Sequence, residues 1–151
     1  LAGALKATDA RDTLRRAMAD PDVAGPGTFY YRYYLAQALK KAGLRDEFFN
    51  LLKLWENLLA ESGLTTWPES DHNPRSDCHA WSVTPAIEYL QTVLGVEPDP
   101  SANGFAKHRF HPTLGPLSAA AGQIPTPAGL IRVTLRAQSN GKPQAKLTTI
   151  N

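Results

Sequence analysis

Residues 28–63 read TFYYRYYLAQALKKAGLRDEFFNLLKLWENLLAESG, two helical patterns separated by one glycine-centred break. In the first, Thr28 is placed to cap a helix over 28–44, and Phe29, Tyr33, Ala36 and either Lys40 or Leu39 recur at steps of three and four residues. Gly43 is placed to close that helix in a left-handed turn. Asp46 and Glu47 sit in the first turn of a second helix, where negative charge suits the positive end of the dipole. Phe48, Leu51, Leu52, Trp55, Leu58 and Leu59 form its apolar stripe down to Gly63. So short a connection forces the two helices antiparallel, an αα-hairpin.

Upstream, residues 7–20 favour a helix with Leu14, Ala17 and Met18 on one face, ended by Pro21. The stretch 21–27, with Gly25, Pro26 and Gly27, reads as a turn-rich loop. Downstream, periodicity disappears over 64–78, and helix returns over 79–94, with Trp81, Ile87, Tyr89, Leu90 and Leu94 available for burial. Pro85 either starts the regular part of that helix, with Thr84 as cap, or kinks it. Gly95 stops it. Beyond the linker 97–104 the period changes from 3.6 to 2: residues 108–111, 130–136 and 145–150 alternate like strands. The pattern predicts an α+β chain, helical over 1–95 and β over 96–151.

Composition narrows the partners. Sixteen Lys and Arg against 14 Asp and Glu leave +2, spread along the chain, so no phosphate-tracking stripe exists and nucleic acid is not expected. The most apolar stretch, 51–59, is interrupted by Lys53, Glu56 and Asn57, far short of the ~20 apolar residues of a membrane span. No membrane partner is expected. Cys78 is the sole cysteine, which excludes an internal disulfide and a cysteine-rich zinc site but says little about compartment. Leu1-Ala2-Gly3 offers neither an initiator Met nor a signal pattern, and points to a chain that begins inside a longer protein.

The loop 64–78 and its flank concentrate Trp67, Glu69, Asp71, His72, Arg75, Asp77, His79 and Trp81 within fifteen positions. Long loops of this kind are usually functional or disordered. Indole faces stack on sugar rings; carboxylate, imidazole and guanidinium groups hydrogen-bond hydroxyls; a carboxylate can also act as acid or base in glycoside hydrolysis. The bland alternative has Trp67 and Trp81 packing between helices and Glu69 as a solvated loop charge. A zinc site from His72 and His79 with Asp71 or Asp77 is disfavoured, because the spacing matches no compact ligand pattern. Cys78 beside His79 reads as a buried thiol rather than a nucleophile, since helix neighbours in sequence do not face each other. Neither a metal nor an organic cofactor is expected.

The strings Leu64-Thr65-Thr66-Trp67-Pro68-Glu69, Arg75-Ser76-Asp77-Cys78-His79-Ala80-Trp81-Ser82-Val83-Thr84-Pro85-Ala86 and Val93-Leu94-Gly95-Val96 resemble the end of the catalytic domain of family 78 glycoside hydrolases, the bacterial α-L-rhamnosidases. Residues 110–117 and 124–131 resemble the start of the β-sandwich that follows that domain, so the likeness runs from about residue 28 to residue 136. The resemblance implies an incomplete (α/α)6 barrel followed by a small β-sandwich-like segment, and inverting hydrolysis of terminal α-L-rhamnosides. It implies Glu69 as the water-activating base and His79 as a contact to sugar hydroxyls. Pro68 separates Trp67 from Glu69, where the family commonly joins Trp and Glu directly. With Trp67, Trp81, Asp71 and Arg75 added from their chemistry, these residues make up the expected substrate site, its partner a carbohydrate, a rhamnoside.

Inversion also needs an acid ~6.5–9.5 Å from the base. In the family it lies upstream of anything in this chain, and Glu47, Glu56 and Glu61 have ordinary surface spacing. The expectation is therefore a C-terminal fragment or truncated form, from the bacterial cytoplasm or exported. The alternative is a non-catalytic carbohydrate-binding or vestigial structural module. Without neighbouring hairpins, Tyr30, Tyr34, Phe49, Leu52 and Trp55 would be left partly in water, which calls for a homo-oligomer or for the missing N-terminal part.

Overall fold

A computed structural model describes residues 1–23, 25 and 28–150. The turn expected at Gly25, Pro26 and Gly27 lies in part outside the described residues. The chain is α+β and divides into two compact units, Leu1–Pro85 and Ala86–Asn151.

The first unit holds α1 (Ala7–Ala19), α2 (Phe29–Lys41) and α3 (Phe48–Glu61), with a 3-10 turn, Arg45–Glu47, leading into α3. Thr28 stands at the N-cap in extended backbone but makes no side-chain capping bond. The C-terminal end of α2 is built as the sequence predicts. Gly43 has φ +71°, its N–H donates to the Lys40 carbonyl, and the Leu44 N–H donates to the Leu39 carbonyl at 2.8 Å. This is the paired 6→1 and 5→2 closure of a Schellman motif, with Leu39 and Leu44 both buried at its two ends. Arg11 of α1 reinforces the same end by donating from Nε to the Ala42 carbonyl, 3.2 Å away.

The hairpin core consists of Phe29, Ala36 and Leu39 from α2 and Phe48, Leu51, Leu52 and Trp55 from α3. Phe29 at the start of α2 meets Trp55 late in α3, ring centroids 4.9 Å apart, as antiparallel packing requires. Two expectations are corrected here. Tyr33 is exposed and Lys40, with Leu39, takes the buried side of α2. Leu52 and Trp55 are buried and Phe49 half-buried, so of the stripe expected to lie open only Tyr30 and Tyr34 are exposed, because α2 and α3 cover each other.

The helix expected over 79–94 is shorter and differently faced. A 3-10 turn, Ala80–Ser82, precedes α4 (Thr84–Glu88), which continues as a π-helical turn, Tyr89–Val93. Thr84, Glu88 and Thr92, spaced by four, are buried, and the Thr92 hydroxyl donates to the Glu88 carboxylate at 2.5 Å. Ile87 and Tyr89, expected inside, are exposed, as is Trp81.

The second unit is a pair of small antiparallel sheets: β1 (Val96–Pro98) with β2 (His108–Phe110), and the meander β3 (Ala119–Thr126), β4 (Gly129–Arg136), β5 (Gln144–Ile150). In β4, Ile131, Val133 and Leu135 point inward and Arg132 and Arg136 outward, the period-2 alternation visible in the sequence. They pack with Ile124, Leu114, Val96 and Leu94, and with Leu90 at the margin. Since Leu90 and Leu94 belong to this core, the unit boundary falls at 85/86, upstream of the change of period near 95. Gly95 carries the chain from helix to strand with φ +75°, and a Cβ there would stand 2.2 Å from the Pro112 nitrogen. No described helix is long and apolar enough to cross a membrane.

Candidate functional site

The loop between α3 and the 3-10 turn at Ala80–Ser82 is folded as a small hairpin of its own. The Glu69 N–H donates to the Ser76 carbonyl at 2.9 Å and the His79 N–H to the Trp67 carbonyl at 2.8 Å, so the two arms run antiparallel. The Thr66 hydroxyl adds a bond to the Asp77 carbonyl at 2.5 Å. The tip is a run of turns: the Ser70 hydroxyl donates to the His72 carbonyl, and Asn73 takes a positive φ of 44°, a conformation Asn tolerates.

A buried relay fastens the loop to the hairpin. Trp55 Nε1–H donates to the Ser82 carbonyl at 2.8 Å, and the Ser82 hydroxyl donates to the Pro68 carbonyl at 2.7 Å. Ser82 and Pro68 are both fully buried. Pro68, which lies between Trp67 and Glu69, is thereby an anchoring point, and Glu69 follows directly from it.

Glu69 and Arg75 form a two-pronged ion pair, Arg75 Nε to Oε2 at 2.9 Å and Nη2 to Oε1. The Glu69 side chain is only 12% exposed and that of Arg75 84%. Glu69 is held below the usual carboxylate range, chiefly by the Arg75 hydrogen bond; partial burial opposes this, while the charges of Arg75 and of His79 favour the ionised form. Glu69 pairs through its backbone with Ser76 and His79 with Trp67, so the two residues stand on facing arms of the same loop hairpin. Asp71 is half-buried and lies 3.9 Å from His72, a pair only when the imidazole is protonated.

The rest of the site is aromatic. The His79 and Trp81 rings lie 4.1 Å apart at 40°. Tyr30 of α2 lies 5.3 Å beyond Trp81, and Tyr34 lies 5.2 Å beyond Tyr30. Trp67 is half-buried and belongs to the site through its carbonyl bond to His79; Trp81 stands at the surface rather than in the core. Sequence reasoning missed Tyr30 and Tyr34 as neighbours of this loop, although their i, i+4 spacing marks them as one face. It also missed Arg32, half-buried, with its Nε buried and unbonded and its charge influenced by Asp71. Cys78, expected inside, is exposed.

Chemically, the cluster joins the carboxylates of Glu69 and Asp71, the imidazole of His79, the guanidinium groups of Arg75 and Arg32 and a row of rings. Among the described residues no three His, Cys, Asp or Glu side chains gather as a metal ion would need. No model of a known protein family matches the chain, and no curated protein matches it.

Proposed function

We propose that the chain carries the base-bearing side of a glycosidase site of the α-L-rhamnosidase type, for inverting hydrolysis of terminal α-L-rhamnosides. On this reading α2 and α3 are one hairpin of an (α/α)6 barrel, the strands begin the β-sandwich after it, and the acid belongs to another part of the parent enzyme or a partner copy. The observation that carries the reading is Glu69, ionised and mostly shielded, in the same loop hairpin as His79, whose ring lies tilted against an exposed Trp81.

The roles follow from that arrangement. Glu69 accepts a proton from water as the water oxygen bonds to the anomeric carbon and the glycosidic C–O bond on the opposite face breaks, its oxygen taking a proton from the acid supplied elsewhere. His79 hydrogen-bonds a sugar hydroxyl, and the Trp67 and Trp81 faces cover the apolar side of the ring. Asp71 and Arg75 bond the remaining hydroxyls. Arg75 is largely in solvent, so it can leave one Glu69 oxygen free when water and sugar arrive.

One observation favours the alternative, a non-catalytic carbohydrate-binding or vestigial module: Arg75 engages both Glu69 oxygens, which leaves the base engaged in the free protein. The two readings separate in one experiment. Because 4-nitrophenolate leaves without being protonated, 4-nitrophenyl α-L-rhamnoside does not depend on the acid, and a base at Glu69 requires turnover of it that Glu69→Gln lowers by roughly 10²–10⁴-fold. Binding of L-rhamnose without turnover supports the binding module, and absence of both removes the sugar reading.

A further inference from the structure

We infer that Tyr30 and Tyr34 form a second ring-binding position continuing from the Glu69–His79 cluster, so that the ligand is a glycoside of at least two rings. This rests on the glycoside reading of that cluster and extends it to the substrate class.

The geometry is a continuous row. His79, Trp81, Tyr30 and Tyr34 follow one another at 4.1, 5.3 and 5.2 Å between ring centres, spacings comparable with those between successive rings of a glycoside. Interplanar angles of 40°, 54° and 80° tilt each ring against the next rather than leaving them parallel. The three large rings are 43%, 38% and 41% exposed for Trp81, Tyr30 and Tyr34, so each keeps surface available to a ligand. Tyr30 is the joint, touching Trp81 of the loop on one side and Tyr34 of its own helix on the other.

The row is also polar at its rim. The Tyr30 and Tyr34 hydroxyls are hydrogen-bonded to each other at 2.9 Å, which sets both at the solvent edge. Such a surface, apolar faces with fixed hydroxyl tips, suits a ring that is itself apolar on its faces and hydroxylated or aromatic at its edge. Both tyrosines stand on one face of a 13-residue helix, a rigid support that orders few new bonds on binding. Continuity argues for a ligand rather than a protein partner. The row begins beside the ionised carboxylate, and a glycoside whose first ring sits at His79 must send its second ring somewhere nearby.

The test compares methyl α-L-rhamnoside, one ring, with phenyl α-L-rhamnoside, two rings, by calorimetric titration at a temperature where neither is turned over during the run. The intact chain should bind the phenyl ligand about tenfold tighter. Tyr34→Ala and Tyr30→Ala should bring that ratio near unity while leaving the methyl ligand's affinity within about twofold, and Tyr34→Phe, which keeps the ring, should retain the preference. A ratio near unity in the intact chain, or one that survives both alanine variants, overturns the second position while leaving the site reading intact. Binding of neither ligand overturns the glycoside reading and the second position with it. Thermal unfolding of each variant shows whether a loss is due to misfolding.

Discussion

Replacing Trp55 by Phe should weaken the fold and loosen the site loop together, because one indole nitrogen connects the two. Trp55 is 3% exposed and packs its ring against Phe29. Phenylalanine keeps a six-membered ring there but removes the Nε1–H that satisfies the Ser82 carbonyl. An orphaned buried carbonyl costs about 1–3 kcal/mol. The indole also exceeds phenyl by roughly three buried heavy atoms, worth about 2 kcal/mol at ~0.8 kcal/mol per methylene-sized group. The sum, about 3–5 kcal/mol, is a large share of the ~5–15 kcal/mol that holds a domain together. Denaturant unfolding followed by circular dichroism measures it, and hydrogen exchange at the Glu69 and His79 amides reads the loop. Those amides should exchange faster in the variant, since Ser82 links Trp55 to Pro68, which precedes Glu69. A loss under about 1 kcal/mol with unchanged loop protection would refute the relay.

Three other outcomes are expected. Gly95→Ala should cost at least about 2 kcal/mol and disrupt the second unit, since a left-handed φ alone costs ~1–2 kcal/mol and the new methyl would meet the Pro112 backbone; near-wild-type unfolding would contradict that geometry. The Glu69 carboxyl is depressed in the folded state, so the stability of its pair with Arg75 is present above the unfolded glutamate value and lost as pH falls through the lower folded one. Arg75→Gln should move the Glu69 side-chain NMR titration midpoint upward, and an unmoved midpoint would mean the pair is not what holds it. Arg32→Met should leave thermal stability unchanged or raised, because it removes a half-buried guanidinium with an orphaned Nε while keeping an apolar stem. A clear fall in melting temperature would show that Arg32 has a stabilising partner.

The α2–α3 hairpin was legible because its information is local: apolar residues at helical spacing, a glycine where φ must turn positive, and a connection too short for any other arrangement. The faces of 79–94 were not, because that segment buries Thr84, Glu88 and Thr92 and exposes Val83, Ile87 and Tyr89, the reverse of what apolar periodicity implies. Strand β3 was hidden by Ala119, Ala120, Ala121 and Gly122, poor strand formers; a Cβ at Gly122 would come within 2.6 Å of the Leu94 side chain, a constraint set by packing and invisible in the string. In the site, the return of the chain that puts Glu69 and His79 on facing arms of one loop could be read from the loop's length. The approach of Tyr30 to Trp81 could not, because it joins a helix to a loop some fifty residues later and no local pattern encodes it.

The most direct test of the sugar site is an NMR titration of the three tryptophan indole N–H signals with L-rhamnose. Trp55 is an internal control, buried and bonded to the Ser82 carbonyl, whereas Trp67 is half-buried and Trp81 lies at the surface. Saturable shifts of the Trp67 and Trp81 indoles and of the His79 amide, with Trp55 nearly still, are the expected result. No shift at sugar concentrations in the tens of millimolar, or shifts that map away from residues 67–81, would contradict a carbohydrate site in this loop.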